Sequence, residues 1–393
     1  METLPRKRIT SIDALRGLVM ILMALDHVRD YFHYEAFLFD PTDLTQSTPA
    51  IFWTRFVTHF CAPVFVLLAG TSAFLVGKRR SKKELSIWLV KRGIWLIIAE
   101  LTIIKLAWMF KLDYSNVVLQ VIWVLGICML VLSAYIYLPK KIGLTVALLF
   151  VLGHNLFDNV SFAQGSVESG IWAFFHQMNI VPIGASNIFI GYPFIPWVFV
   201  MPLGYYLGEL YTTEFDAEKR QKLLFRLGFI CIAVFIALRT FNLYGDPLLW
   251  SQLYSLGLTI ASFFNVSKYP PSLLYLCITL GPSFIFLALA ERWSSPLKEK
   301  LVVIGRVPMF YYIIHLYVIH AIAMIAAIST GFKASDMVID LWVTLSQELQ
   351  GYGFSLPIVY VVWIIVVIGL YPICAWYNNY KSNNRDKWWL SYL

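Results

Sequence analysis

The first long apolar stretch of the sequence carries ionisable side chains at an unusual density. Residues 11–32 read SIDALRGLVMILMALDHVRDYF, with Asp26, His27, Arg29 and Asp30 inside five consecutive positions. Each charge inside a helix that crosses a bilayer costs about 2.5–3.5 kcal/mol and usually faces a cavity or a partner. One charge at a helix end is explained by a side chain that reaches the interface. Four clustered ionisable residues favour a functional site.

The spacing of these residues indicates what such a site would do. Arg16 and His27 are eleven residues apart, which in an α-helix means about 20° of rotation and about 16 Å of rise. The two side chains therefore share one stripe, and His27 suits proton transfer near neutral pH. Asp26 or Asp30 would orient the imidazole, as carboxylates do in catalytic triads. Arg29 would stabilise an oxyanion or bind the acceptor.

The composition places this stretch in a membrane protein. Of the 393 residues, 59% are apolar and 14% are charged, against about 45–50% and about 25% in soluble domains. The mean hydropathy is +0.69. These values exclude an ordinary soluble enzyme, a disordered chain and a secreted disulfide scaffold. We therefore predict a polytopic helical membrane protein.

An apolar run of about 20 residues crosses a bilayer as a helix, and the sequence contains ten such runs. They lie near 12–32, 51–77, 87–110, 117–137, 142–157, 190–211, 223–240, 270–290, 301–330 and 355–377. We predict an all-α fold in which about ten transmembrane helices form one bundle. Residues 1–393 then make a single transmembrane domain with short tails at 1–11 and 378–393.

The distribution of Lys and Arg predicts the orientation of this bundle. If the ten runs are spans, the connecting segments on one side hold 19 of these residues and those on the other side hold 3. The positive-inside rule then puts both termini in the cytoplasm. The formal net charge of +8 thus reflects membrane topology, and we predict no nucleic-acid partner.

All seven histidines fall in the middle or outer part of the predicted spans or in the outer loops. Their shared level predicts an aqueous pocket that opens outward. His59 lies at a depth similar to that of His27, so these two are expected to meet, and His315 in the ninth run is expected to line the pocket. The candidates for binding an acceptor at this end are Arg29, His33, His154 and Asp158.

The cytoplasmic ends of the spans carry arginines instead. Arg16, Arg92 and Arg306 lie near inner helix ends. They either anchor the helices or form a site for a polyanionic cytosolic cofactor, because arginine matches phosphate oxygens with two hydrogen bonds.

A metal centre has little support in the sequence. His154 and Asp158 have the i,i+4 spacing of two ligands on a helix, but neither an HExxH motif nor a clear third ligand accompanies them. The sequence also lacks a Walker loop, a dinucleotide glycine fingerprint and a serine-centred elbow. We therefore predict no metal.

Three segments resemble a known family: SIDALRG (11–17), ALDHVRDYF (24–32) and THFCAPVFVLLAGTSAFL (58–75). They are similar to segments of the bacterial relatives of the lysosomal heparan-α-glucosaminide N-acetyltransferase. Similarity at GHNLFD (153–158) and IGRVPMFYYIIH (304–315) extends the resemblance over nearly the whole chain. The spacing of the arginine and the histidine in the first run also resembles that of the wider transmembrane acyltransferase superfamily.

The resemblance implies a multi-pass enzyme of the bacterial cytoplasmic membrane. Such an enzyme moves an acetyl group from cytosolic acetyl-CoA to a sugar or glycan on the far side. The residues that the resemblance and the stripe together assign to acetyl-CoA are Arg16, Arg92, Arg306 and His315, and those assigned to catalysis are His27, Asp26, Asp30 and His59. The lysosomal enzyme has its proposed active histidine in the loop after this span, which leaves His33 as an alternative base. We favour His27, because a helix fixes its orientation more firmly.

Several alternatives stay open at this point. Direct attack by the acceptor and a route through acetyl-histidine both fit the sequence, as do O- and N-acetylation and a monomer or a homodimer. The competing class is a transporter of a small polar or glycan-linked solute, for which the prolines in 181–208 and 269–282 would supply broken helices. No repeat symmetry relates the two halves of the chain, and release of CoA would distinguish the enzyme from the transporter.

Overall fold

The computed structural model describes residues 9–393, so residues 1–8 of the predicted cytoplasmic tail lie outside the described residues. Within the described part, the chain forms fifteen α-helices and one small sheet. The helices are α1 (Thr10–Phe32), α2 (Pro49–Phe56), α3 (Cys61–Gly77), α4 (Lys82–Ala99), α5 (Lys105–Met109), α6 (Val121–Tyr135), α7 (Lys140–Gly153), α8 (Val167–Phe175), α9 (Trp197–Leu207), α10 (Ala217–Thr240), α11 (Leu256–Phe264), α12 (Leu273–Ala290), α13 (Pro296–Arg306), α14 (Pro308–Ser329) and α15 (Leu356–Asn383). The strands are β1 (Asn116–Leu119), β2 (Asn179–Ile183) and β3 (Ser186–Ile190).

Every apolar run of the sequence overlaps a helix, and the chain is mostly helical as predicted. Six helical segments of residues 9–393 are long and apolar enough to cross a membrane. They are Pro49–Gly77, Lys140–Phe157, Ala217–Thr240, Leu273–Ala290, Pro308–Ser329 and Leu356–Asn383. The protein is therefore a multi-pass membrane protein. The count of ten spans and the cytoplasmic position of both termini stay predictions.

Two details differ from the sequence prediction. The ninth run is not one helix, because it breaks at Val307 between α13 and α14. Pro308 explains the break, since proline has no amide hydrogen to donate and restricts the residue before it. The second detail is the sheet, in which β3 pairs in parallel with β1 and antiparallel with β2. This sheet joins the segment before α6 to the hairpin that follows α8.

Helix α1 lies at the centre of the bundle and packs against α3, α12, α13, α14 and α15. Two glycines let α1 and α13 touch backbone to backbone. A Cβ atom on Gly17 would lie 1.9 Å from the carbonyl oxygen of Leu301, and one on Gly305 would lie 1.9 Å from the carbonyl oxygen of Asp13. No side chain fits at that distance, so these glycines fix the N-terminal half of α1 against α13.

The C-terminal end of α1 has different surroundings, in which connecting segments lie among the helices. After α1, the backbone of His33 forms an isolated bridge with Phe354, just before α15. The segment 265–272 turns back through a second bridge between Lys268 and Pro271. It ends where the hydroxyl of Ser272 accepts a hydrogen bond from the backbone N–H of Tyr275 at 2.9 Å and caps α12.

Candidate active site

A cavity of about 290 Å³ lies at the C-terminal end of α1. Its wall on α1 is formed by Met23, Asp26, His27 and Asp30, which share one face at helical spacing, with Arg29 beside them. Helices α2, α3, α5, α6 and α14 and the connecting segments complete it. Their lining residues include Asp40, Arg55, Thr58, Cys61, Trp108, Gln120, Met178, Ile180, Tyr192, Lys268, Tyr269, Tyr312 and Trp342.

The imidazole of His27 is held by a second histidine, His315 on α14. Nδ1 of His27 lies 2.7 Å from Nε2 of His315, and Nδ1 of His315 lies 2.7 Å from the carbonyl oxygen of Tyr311. A carbonyl oxygen only accepts, so Nδ1 of His315 carries the proton and donates it. Nε2 of neutral His315 must then accept from Nδ1 of His27. This assignment leaves a lone pair on Nε2 of His27, the form that a general base requires.

Packing against neighbouring rings holds the imidazole of His27 in the same orientation. The ring planes of His27 and His315 differ by only 13°, which suits a hydrogen bond in the plane of both rings. The rings of Trp108 and His27 form a T-shaped contact at a centroid distance of 4.7 Å and an angle of 74°. Both histidines are buried, with His27 7% exposed and His315 fully enclosed. The relay from the Tyr311 carbonyl to His27 is therefore shielded from water except at the cavity.

The acidic residues of the cluster pair with arginines and not with His27. Asp26 lies 2.5 Å from Arg55 and 2.9 Å from Arg29, and Asp30 lies 2.5 Å from Arg29. The expectation that Asp26 or Asp30 orients the imidazole is therefore wrong in this geometry, because His315 occupies that position. Nε and Nη1 of Arg29 are buried and have no hydrogen-bond partner among the described residues.

Two further histidines that the sequence offered lie away from the cavity wall. His59 is buried, and within residues 9–393 neither of its ring nitrogens has a hydrogen-bond partner. The expected meeting of His27 and His59 is replaced by the pair of His27 and His315. His33 is also buried, and its Nδ1 accepts a hydrogen bond from the backbone N–H of Glu35 at 3.3 Å. Among the described residues, the lining of the cavity includes neither of them.

The arginines predicted to bind a cofactor fall into two places. Arg16 donates to Asp13, to the carbonyl oxygen of Gly305 and to the hydroxyl of Ser72. Arg306 lies 3.6 Å from the same Asp13, so the structure brings Arg16 and Arg306 together at the N-terminal end of α1.

Arg92 has different neighbours. Its guanidinium lies over the rings of Trp88 and Tyr392, at 4.7 Å and 5.4 Å from their centroids. The structure therefore gives Arg92 an aromatic packing role. His315, which was also expected to hold the cofactor, lies behind His27 as described above.

His154 and Asp158 lie at the C-terminal end of α7, outside the cavity wall, and a third residue joins them. Nε2 of His176, at the end of α8, lies 3.1 Å from Oδ1 of Asp158. Ligand atoms of the three side chains lie within 4.8 Å of one another. These residues are therefore not placed to bind an acceptor in the cavity beside His27.

Arg55 is a residue of the cavity wall that sequence reasoning missed. It lies within the second apolar run and forms a 2.5 Å ion pair with Asp26 of the acidic cluster. The available signal was its charge inside an apolar run, which is costly without a partner. Lys268 and Tyr269 carried no such signal, because they lie in a connecting segment whose fold decides their position.

Comparison with known proteins adds an independent observation. Residues 8–245 match the family model described as "Heparan-alpha-glucosaminide N-acetyltransferase, catalytic". The match covers more than half of the chain and includes His27, Arg29 and Arg55, whereas His315 lies beyond it. A search of curated proteins finds no match.

Proposed function

The chain belongs to the heparan-alpha-glucosaminide N-acetyltransferase catalytic family, and we propose that it transfers an acetyl group across the membrane. The donor is cytosolic acetyl-CoA, and the acceptor is a sugar or glycan on the extracytoplasmic side. The observation that carries the proposal is the chain of hydrogen bonds from the Tyr311 carbonyl through His315 to His27 at the cavity, which leaves Nε2 of His27 unprotonated.

His27 is the general base of the reaction. Its Nε2 takes the proton from the hydroxyl or amine of the acceptor while the acceptor oxygen or nitrogen attacks the thioester carbonyl carbon. The imidazolium that forms keeps its Nδ1–H on Nε2 of His315, and this charge-assisted hydrogen bond stabilises it. His315 thus takes the place that a carboxylate holds in the usual triad.

Arg29 suits stabilisation of the tetrahedral oxyanion. Arg29 lines the cavity beside His27, and its Nη2 is already held by Asp26 and Asp30, so it needs no reorganisation when negative charge develops. When the intermediate collapses, the carbon–sulfur bond breaks and CoA leaves as the thiolate. The imidazolium of His27 then returns its proton to the sulfur, which restores the base.

Acetyl-CoA approaches from the opposite end of α1. Arg16 and Arg306 lie there around Asp13, and arginine side chains match the phosphates of CoA. The rise of about 16 Å between Arg16 and His27 suits an extended pantetheine arm running along α1. Because Arg92 packs between aromatic rings, we leave it out of the cofactor site.

The cavity wall suits a sugar acceptor. Tyr192, Tyr269 and Trp342 offer aromatic faces, and Asp40 and Lys268 offer polar groups at the same wall. A volume of about 290 Å³ lies at the small end of ligand pockets. It accommodates one terminal sugar with the rest of a glycan outside.

The first test measures thermal unfolding of the detergent-purified chain with and without acetyl-CoA. Wild type is compared with His27→Ala and Arg16→Ala, and with Arg79→Ala as a control, because Arg79 is an exposed arginine outside the site. A ligand that binds only the folded state adds about 2.7 kcal/mol at a hundredfold excess over Kd. We expect this stabilisation in wild type, Arg79→Ala and His27→Ala, and a smaller one in Arg16→Ala.

The second test measures CoA thiol release with a panel of amino sugars and their N-acetylated forms. We expect His27→Ala to lower turnover by at least about 100-fold, the usual contribution of a general base. Folded wild type that is not stabilised by millimolar acetyl-CoA would contradict the proposal and favour a transporter. Retained turnover in His27→Ala would move the base to another histidine.

A further inference from the structure

Three side chains of metal-ligating types meet at the ends of α7 and α8, apart from the cavity. We propose that His154, Asp158 and His176 bind one Zn²⁺ ion. His154 and Asp158 come from the turn that ends α7, and His176 comes from the residue that ends α8. This proposal does not depend on acetyl transfer.

The strongest observation is the state of His154. This side chain is fully enclosed, and neither Nδ1 nor Nε2 has a hydrogen-bond partner among the described residues. A buried polar atom without a partner typically costs about 1–3 kcal/mol, so a packing role would be better served by an apolar residue. A metal ion bound to one of the two nitrogens supplies the missing partner.

The geometry fits a metal ion with little adjustment. Ligand atoms of the three residues lie within 4.8 Å of one another, and Asp158 Oδ1 lies 3.1 Å from His176 Nε2. Bonds of about 2.0–2.2 Å around tetrahedral zinc place neighbouring ligand atoms about 3.4 Å apart. The ligand atoms, all within 4.8 Å of one another, are close to that spacing.

The donor set selects the class of metal. Two imidazoles and one carboxylate form a common zinc site that keeps a fourth position for water. Calcium and magnesium prefer oxygen ligands throughout, so the two imidazoles disfavour them. Asp158 is the ligand at the surface, with 11% of its side chain exposed, and it gives the ion a way in.

Asn155 orients the carboxylate of Asp158, as residues that hydrogen-bond to metal ligands do in metal sites. Nδ2 of Asn155 donates to Oδ2 of Asp158 at 2.8 Å, which leaves Oδ1 for the ion. Oδ1 of Asn155 accepts a hydrogen bond from the backbone N–H of Leu273 at 2.9 Å. The site is therefore tied to the first turn of α12, and loss of such a partner costs about 10- to 100-fold in metal affinity.

The position of the site indicates what the ion does. His176 precedes Met178 and Ile180, which line the cavity beside His27. Zinc would join the ends of α7 and α8 and so fix the segment that carries this part of the wall. The ion would shape the cavity from outside it. The sequence predicted no metal because it showed no third ligand, and His176 now supplies one.

The test uses untagged full-length protein, because a polyhistidine tag would itself bind metal. The purified chain is stripped with a chelator and dialysed against Zn²⁺, and its bound zinc is measured by mass spectrometry. Co²⁺ is added in a parallel sample, and its visible spectrum distinguishes a four-coordinate protein site from the aqueous ion. The variants are His176→Gln and Asp158→Asn. Asp340→Asn is the matched control, because Asp340 is a carboxylate outside the cluster with 70% of its side chain exposed.

We expect one Zn²⁺ per chain in wild type and in Asp340→Asn. Affinity should fall at least about tenfold in His176→Gln and in Asp158→Asn. Wild type without bound zinc, or a His176→Gln variant that binds as tightly as wild type, would overturn the proposal. If both variants misfold, the cobalt spectrum of wild type decides, and a spectrum of the aqueous ion would overturn it.

Discussion

The two ends of α1 are built in opposite ways. At the N-terminal end, Gly17 and Gly305 bring the backbones of α1 and α13 into contact. At the C-terminal end, α1 faces a cavity, and its neighbours are side chains held by ion pairs and by a histidine relay. The N-terminal end is fixed by backbone atoms, which cannot move independently of their helices. The C-terminal end carries the groups that would react.

Packing at one end of α1 can set the position of side chains at the other end. Rigid packing at one end sets the rotation of the whole helix about its axis, because α1 is one continuous segment. This rotation decides whether His27, eleven residues from Arg16, points at His315 and the cavity. The packing of the N-terminal end therefore affects the position of the His27 side chain, over a distance of about 16 Å.

The largest effect is expected from a substitution that disrupts the backbone contact between α1 and α13. Gly305→Ala places a methyl group where the nearest atoms are backbone atoms of Asp13 and Gly17. Overpacking typically costs about 1–3 kcal/mol when side chains can shift, and here they cannot relieve the contact. We expect destabilisation of at least about 3 kcal/mol, measured by thermal unfolding in detergent.

Gly369→Ala is the matched control for this substitution. Gly369 also lies inside a helix, α15, but a Cβ atom there would meet nothing within 4 Å. Since alanine is the better helix former, the control should be as stable as wild type or slightly more stable. Equal stability of Gly305→Ala and Gly369→Ala would contradict the account of the α1–α13 contact.

The next largest effect is expected from substitutions of His315, which distinguish a residue that positions His27 from one that binds the cofactor. His315→Leu removes the acceptor for Nδ1–H of His27 and should lower kcat by about 10- to 100-fold, less than loss of the base itself. His315→Gln should recover part of this rate, because its amide oxygen can accept the same hydrogen bond. The KM for acetyl-CoA should stay near the wild-type value in both variants.

These variants also test whether His315 holds the cofactor, as the sequence suggested. A cofactor ligand would raise KM and leave kcat nearly unchanged, which is the reverse of a positioning residue. Equal activity of the Leu and Gln variants would contradict the hydrogen-bond relay. A purely structural role would lower the amount of folded protein in both variants without a difference in kcat.

Much of the helical framework could be predicted from hydropathy, because each bilayer-spanning helix requires a long apolar run. The charge cluster of the first run could also be identified, because charges inside an apolar run are energetically costly and therefore rare. His27 and Arg29 were found in this way without a structure. The break at Val307 was missed because a proline inside a long apolar run ends one helix and starts another without interrupting the hydropathy.

The partners of the site residues could not be predicted in the same way. His315 lies 288 positions from His27, and helical spacing relates only residues of the same helix. The triad pattern suggested a carboxylate beside the imidazole, but Arg29 and Arg55 bind both candidate carboxylates. His176 was missed as a third ligand because its place depends on how α8 packs against the end of α7.

The smallest expected effect concerns the connecting segments that complete the cavity. Asp246 lies in the segment after α10 and accepts hydrogen bonds from the backbone N–H of Ser267 and the hydroxyl of Ser272. It therefore holds both ends of the turn that carries Lys268 and Tyr269 into the wall. Burial raises the pKa of Asp246 to about 6, and these hydrogen bonds together with Arg239 offset the increase only in part.

The sign of the pH effect follows from the raised pKa. The carboxyl of Asp246 titrates at about 6 in the folded chain and near 3.8 when unfolded, so the folded state binds more protons between these values. This contribution to stability is fully present below the unfolded pKa and is lost as the pH rises through about 6. Lowering the pH from about 7.5 to about 5 should therefore raise the wild-type free energy of unfolding by about 1 kcal/mol relative to Asp246→Asn.

Thermal unfolding of both proteins at the two pH values measures the difference, and Asp340→Asn, which replaces an exposed carboxylate, should behave like wild type. An identical pH dependence in Asp246→Asn and wild type would show that Asp246 is not held in this buried position.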